Sequence, residues 1–195
     1  SASFRRLQNK TQVFPLPNQI FVHNRLTHSL EVACVGRSLG HDCSSLLIQR
    51  HPELQQTHLC EAENIVSAAC LAHDLGNPPF GHSGEKAICS YFSEGNGIHY
   101  QKELTERQWN DFTHFEGNAN AFRLLTHQFK GRRRGGFVMT YTTLASIVKY
   151  PWSSLQASDK GKSGFFESED SCYQKIASDF GILQLNKLGE PARFA

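Results

Sequence analysis

Apolar positions recur with a helical period along most of the chain. Residues 24–39, NRLTHSLEVACVGRSL, place His28, Val32, Val35 and Leu39 at i, i+4, i+7 and i+11, one stripe of a helix that Asn24 or Thr27 can cap. The spacing predicts that this stripe, His28 included, faces inward. Gly36 lies beside it and would permit close approach by a second helix, although glycine costs ~1 kcal/mol against alanine in a helix interior. From Leu59 to Leu75, Ile65, Ala69, Ala72 and His73 make a second stripe, mostly of small residues. Glu61 and Glu63 suit its first turn, where they complement the helix dipole, and Gly76 with Pro78-Pro79 ends it.

Downstream, Ser83 is placed to cap a helix running through about Phe92, residues 95–110 read as a polar loop, and residues 114–129 are again helical in pattern. KGRRRGG then breaks the chain. Residues 137–149 are rich in β-branched and aromatic side chains, but Leu144, Ile147 and Val148 share a helix face. The preferred reading there is helix, with a short β-hairpin around 130–142 as the alternative. Residues 153–171 read as loop and 172–186 as one more short helix; the opening SASFRRLQNK is helical in pattern too. The fold class expected is therefore all-α, with at most a small hairpin.

Composition narrows the function classes. A chain of 195 residues with 39% hydrophobic and 19% charged residues fits one globular domain. A net charge of +2 argues against a polycation built for nucleic acid or a membrane surface, so any basic patch must be local. Six cysteines, widely spread without a CxxC pair, read as reduced packing residues. No leader-like segment or apolar run of membrane-spanning length stands out, and the expected compartment is the cytoplasm. Both ends read as cut from a longer protein.

Residues 73–85, HDLGNPPFGHSGE, concentrate the chemistry. Charged groups so close together are rarely buried unless they are paired or bind metal, so His73, Asp74, His82 and Glu85 read as a site. If the helices carrying His28 and His73-Asp74 pack face to face, the three side chains meet. Imidazole plus carboxylate suits Mg, Mn, Fe, Ni or Zn and leaves positions open for water or phosphate oxygens. The bland alternative is a hydrogen-bonded core histidine and a polar pair at a helix end.

In order and spacing, FRRLQNKTQVFP, HNRLTHSLEV, HDLGNPPFGHSGE, THFEGNANAFRLL and VKYPW resemble the deoxyguanosine triphosphate triphosphohydrolases, in their bacterial type, among the HD-domain phosphohydrolases. The resemblance covers nearly the whole chain. It implies a helical HD-domain fold, with residues 1–195 part of a single domain truncated at both ends. It also implies hydrolysis of a deoxynucleoside triphosphate, dGTP or other dNTPs, to deoxynucleoside and inorganic triphosphate. His28, His73 and Asp74 would hold the divalent metal, Mg or Mn first, with Ni, Fe or Zn as alternatives. The fourth ligand, a later aspartate, would follow the last residue given, because Asp111, Asp159, Asp170 and Asp179 lack the family's context.

By the same resemblance, His82 and Glu85 are the pair that orients or deprotonates water and passes a proton to the leaving oxygen, and His114 faces the phosphates as a third proton donor or a phosphate contact. Arg25 would grip phosphate with its planar fork, Lys149 and Tyr150 would touch the phosphates, and Gln12 would read the sugar 3′-hydroxyl. Asn77 stands where the family's mammalian members have a histidine. Each residue also has a plain structural alternative: Glu85 complementing its helix dipole, His114 paired with Glu116, Arg25 and Gln12 solvated, Lys149 at a helix end and Tyr150 packed. Lys130 and Arg132 to Arg134 read as a solvated loop or as a contact for an activating nucleotide or single-stranded DNA, both known in the family. The partners implied are the nucleotide and a homo-oligomer, with no membrane. The competing readings are hydrolysis of a monophosphate or signalling nucleotide, and a non-catalytic nucleotide or single-stranded DNA binding module.

Overall fold

The computed structural model describes residues 1–11, 24–131, 136–157, 161–182, 184–185 and 191–192; Gln12 and Arg132 to Arg134 lie outside them. Eight helices are described: α1 (Ala2–Arg6), α2 (Arg25–Arg50), α3 (Ala62–Ala72), α4 (His82–Ser93), α5 (Glu106–Thr113), α6 (Gly117–Thr126), α7 (Tyr141–Ile147) and α8 (Asp170–Phe180). A two-residue antiparallel pair, β1 (Gln184–Leu185) with β2 (Pro191–Ala192), is the β-structure among the described residues beyond isolated bridges. The fold is all-α, as its sequence pattern predicts.

Local chemistry explains most boundaries. The Asn24 side chain accepts from the Thr27 amide at 2.9 Å and starts α2, which continues well past the expected end at Leu39. Helix α4 starts at His82 after Gly81 in a positive-φ conformation, one residue before the expected Ser83 cap. Residues 95–110 are not the loop their polarity suggested. Asn96–Glu103 form a 3₁₀ helix, and Thr105 and Gln108 close a capping box that starts α5. The segment predicted as helix over 137–149 is helical only over α7, with Thr140 as its cap; no hairpin occupies its described residues. Gly181, left-handed, stops α8 short of the predicted 186.

The stripe expected to face inward from α2 does so only in part, with His28 and Val32 half-buried. Val35 and Leu39 are 60% and 58% exposed, while the buried stripe is Arg25, Ser29, Ala33, Gly36, Gly40 and Ser44. Close packing on α3 selects the small residues. A Cβ on Gly36 would lie 2.6 Å from Cys70 Sγ, and one on Gly40 would lie 2.9 Å from the Glu63 Cα, so larger side chains have no room on that face. The pairings Gly36 with Cys70 and Gly40 with Glu63 run antiparallel. Extended toward the start of α2, they bring His28 opposite His73.

The apolar core lies elsewhere, among Leu7, Leu75, Phe122, Leu125, Leu144, Phe165, Tyr173 and Ile176. It backs the end of α3 and the face of α6, so the segment following Ala72 rests on a rigid base. Cys34, Cys43 and Cys60 are exposed rather than packed, and all six cysteines are free. Among the described residues, no helix is long and apolar enough to cross a membrane.

Candidate active site

Antiparallel packing of α2 on α3 assembles the first half of the site. His28, His73 and Asp74 each offer a ligand atom, and these atoms lie within 4.8 Å of one another. The two imidazole rings meet edge to face with centroids 5.3 Å apart. His73 Nδ1 lies 2.6 Å from the Cys70 carbonyl oxygen, a contact in which that nitrogen carries the proton and donates. Its Nε2 is thereby left as the ligand atom, 3.4 Å from Asp74 Oδ1. Two imidazoles and a carboxylate form a donor set that fits a divalent metal.

Asp74 is held from both sides. Arg25 Nη1 donates to its Oδ2 at 2.8 Å, and Asn77 Nδ2 donates to its Oδ1 at 2.5 Å. Arg25 is almost fully buried in that pair, where it holds the carboxylate of the candidate metal group. Lys10, which the sequence did not mark, donates to the carbonyls of Leu75 and Asn77 at 3.4 and 3.0 Å and ties the opening segment to the turn after the HD pair. Burial, with Arg25 nearby, lowers the Lys10 ammonium below its usual value.

The second half is built on α4 and the start of α6. His82 Nδ1 and Glu85 Oε2 are 2.8 Å apart; the carboxylate is buried, while the imidazole is 82% exposed and presents its other nitrogen to solvent. Glu85 Oε1 accepts from the Gly117 amide at 2.9 Å. Asn77 joins the halves, because its amide nitrogen holds Asp74 while its Oδ1 would lie 2.2 Å from any Cβ at position 117. Any larger residue there must displace the Asn77 amide and the Glu85 carboxylate.

Two charged residues that the sequence analysis did not place in the site complete it. Glu116, 2% exposed, caps α6 by accepting from the Asn118 amide at 3.2 Å, and pairs with Lys162 at 2.7 Å rather than with His114. Lys162 Nζ also lies 3.9 Å from Glu85 Oε2. Burial opposes the Lys162 charge, but the hydrogen bond to Glu116 and the fields of Glu116 and Glu85 outweigh it and raise its pKa. Its segment is pinned by the Trp152 indole, which donates to the Lys162 carbonyl at 2.6 Å, and by Gly164, whose missing Cβ would lie 1.9 Å from the Tyr150 carbonyl oxygen. A Ser/Gly/Lys stretch carries no periodicity, so its local pattern held no signal of this role.

The remaining expected residues sit at the rim. His114 is exposed, with Nδ1 near Thr113 Oγ1 and the Asn110 carbonyl, and Gly161 passes beside its ring. Lys149 is exposed over the Tyr150 ring at 5.6 Å, and Tyr150 lies close enough to Lys162 to act on its charge. A separate cavity of about 650 Å³, walled by Phe112, Phe115, Phe166 and Asp111, contains none of the expected site residues.

Comparison with known proteins identifies the family. A Pseudomonas aeruginosa (strain LESB58) protein named deoxyguanosinetriphosphate triphosphohydrolase-like is 46% identical over 95% of this chain and 42% of its own length. A Synechocystis protein of the same name is 44% identical over 94% of the chain and 44% of its own length. The deoxyguanosinetriphosphate triphosphohydrolase of Serratia proteamaculans is 34% identical over 96% of the chain and 43% of its own length. The chain thus spans less than half the length of these curated relatives. The HD domain family pattern matches residues 25–170, a span that includes His28, the His73-Asp74 pair, His82 and Glu85, and the chain belongs to the HD domain family.

Proposed function

We propose that this chain carries the hydrolytic centre of a metal-dependent deoxynucleoside triphosphate triphosphohydrolase, which releases deoxynucleoside and intact inorganic triphosphate. The observation that carries the reading is the linkage of two sites. A His82–Glu85 pair is joined through Gly117 and Asn77 to a His28–His73–Asp74 group suited to a metal. The names of the relatives support the substrate class.

A divalent ion on His28, His73 and Asp74, Mg or Mn in this reading, would draw charge from the phosphate oxygens. The chain's own groups do the rest. Glu85, fixed by the Gly117 amide, takes a proton from the attacking water, and exposed His82 delivers one to the departing 5′-oxygen. Tyr150 and Lys149 supply hydroxyl and cationic contacts along the phosphate path, with His114 at its edge. Arg25 and Asn77 keep Asp74 aimed. Gln12 remains our assignment for the 3′-hydroxyl contact. A deoxynucleotide-pool enzyme of this kind would work in the cytoplasm.

The test is to incubate the protein at its full natural length with each dNTP and either Mg or Mn, and to assay deoxynucleoside and inorganic triphosphate. Glu85→Ala should abolish the release. Metal binding without triphosphate from any dNTP, alone or mixed, would remove this reading, and release of orthophosphate instead would point to a different phosphohydrolase.

A further inference from the structure

We propose that Glu116 is a positioning residue for the hydrolytic pair: it draws Lys162 to itself and so holds that ammonium short of hydrogen-bond contact with Glu85. The inference rests on the function proposed above and adds a residue to it.

The geometry is unequal in a telling way. Lys162 Nζ is 2.7 Å from Glu116 Oε2 and 3.9 Å from Glu85 Oε2. At the longer distance Lys162 makes no hydrogen bond to the carboxylate, and Glu85 Oε2 keeps its contact with His82 Nδ1 at 2.8 Å. A lysine in direct contact would compete with His82 and stabilise the carboxylate so strongly that it would accept a proton poorly. Glu116 prevents this from an almost fully buried position, where a carboxylate is costly unless paired. Capping α6 does not explain that cost, because a neutral Ser, Asn or Gln oxygen accepts from the Asn118 amide as well. The neighbouring residue serves the same end, since the Gly117 amide fixes Glu85 Oε1. Among the described residues, the ionisable groups around Glu85 are His82 and Cys89 on α4, Glu116 at the start of α6, and Lys162 on its pinned segment.

Glu116→Gln keeps an acceptor for the cap and removes the charge. In a crystal structure of that variant, Lys162 Nζ should move from 3.9 Å to hydrogen-bond distance of Glu85 Oε2, below about 3.2 Å. In full-length protein, triphosphate release should fall about tenfold in kcat with KM within about twofold. The acid limb of its pH profile should move to lower pH, because one negative neighbour is gone and the cation has closed in. Lys162→Met should move that limb the other way, by leaving two carboxylates facing each other. A purely structural role for Glu116 would lower stability and move neither limb, and that result overturns the inference. So does a lysine that stays in place or swings to solvent in the variant crystal. If wild-type protein released no triphosphate, the function proposed above would fail while the lysine position would still decide this one.

Discussion

Gly117→Ala separates the demands of the site from those of the fold. A methyl group at 117 would lie 2.2 Å from Asn77 Oδ1 and 2.8 Å from Glu85 Oε1, both tips of side chains able to swing away. To restore contact near van der Waals distance the Asn77 oxygen must retreat by roughly 1 Å. That movement pulls Asn77 Nδ2 out of its 2.5 Å hydrogen bond to Asp74 and loosens the 2.9 Å bond from Gly117 to Glu85. Losing a hydrogen bond to a charged group costs about 1.5–3 kcal/mol. Alanine in the first turn of α6 returns up to ~1 kcal/mol of helix propensity. The net loss of about 0.5–3 kcal/mol lowers Tm by roughly 1–12 °C for a chain of this size, which leaves the protein folded at room temperature. Turnover should suffer far more, because a shift of about 1 Å in catalytic groups costs on the order of 100-fold. Differential scanning fluorimetry and triphosphate release on the same preparations decide the matter. Wild-type turnover in Gly117→Ala would refute the linkage between the two halves of the site.

Three further outcomes follow from the same geometry. Gly40→Ala should destabilise despite the better helix former, because its Cβ meets Glu63 backbone at 2.9 Å; overpacking of about 1–3 kcal/mol outweighs ~1 kcal/mol of propensity, and a raised Tm would contradict the close α2–α3 packing. Arg25→Met leaves the buried Asp74 carboxylate without its main countercharge and should weaken Mn binding, read by calorimetry, by about 10-fold to 100-fold; unchanged affinity would show that Asp74 needs no such support. Burial raises the carboxyls of Asp111 and Glu169 above their ordinary range, although hydrogen bonds oppose it. A carboxyl raised in the folded state gives stability that is fully present below its unfolded value near 4 and is lost as pH rises through the folded value. Glu169→Gln should therefore raise Tm at pH 7 relative to wild type more than it does at about pH 4, and a difference independent of pH would count against the burial argument.

Much of the site was legible because its parts are local. HDLGNPPFGHSGE carries the candidate metal pair, the turn and the His82–Glu85 dyad in one stretch, and the i, i+3 spacing on α4 brings His82 and Glu85 together. Gly36 announced close approach by another helix, and α3 makes that approach. Periodicity also identified α2, α3, α4, α6 and α8, since a helix turn depends on neighbours along the chain.

What the pattern left undecided was which face of α2 would be covered. Apolar spacing ranks faces by hydrophobicity, but contact between two helix backbones selects by size, so Ser29, Ala33, Gly36 and Gly40 went inward and Val35 and Leu39 stayed out. Short helices such as α5 were hidden because one capping box and one apolar edge give too little period to read. The assignments that matter most for chemistry needed the tertiary structure. Arg25 on Asp74, Glu116 on Lys162 and Gly117 on Glu85 join residues 49, 46 and 32 positions apart, differences read directly from their numbers. No local pattern encodes such pairs, because each exists only once the core has fixed the segments that carry its two ends.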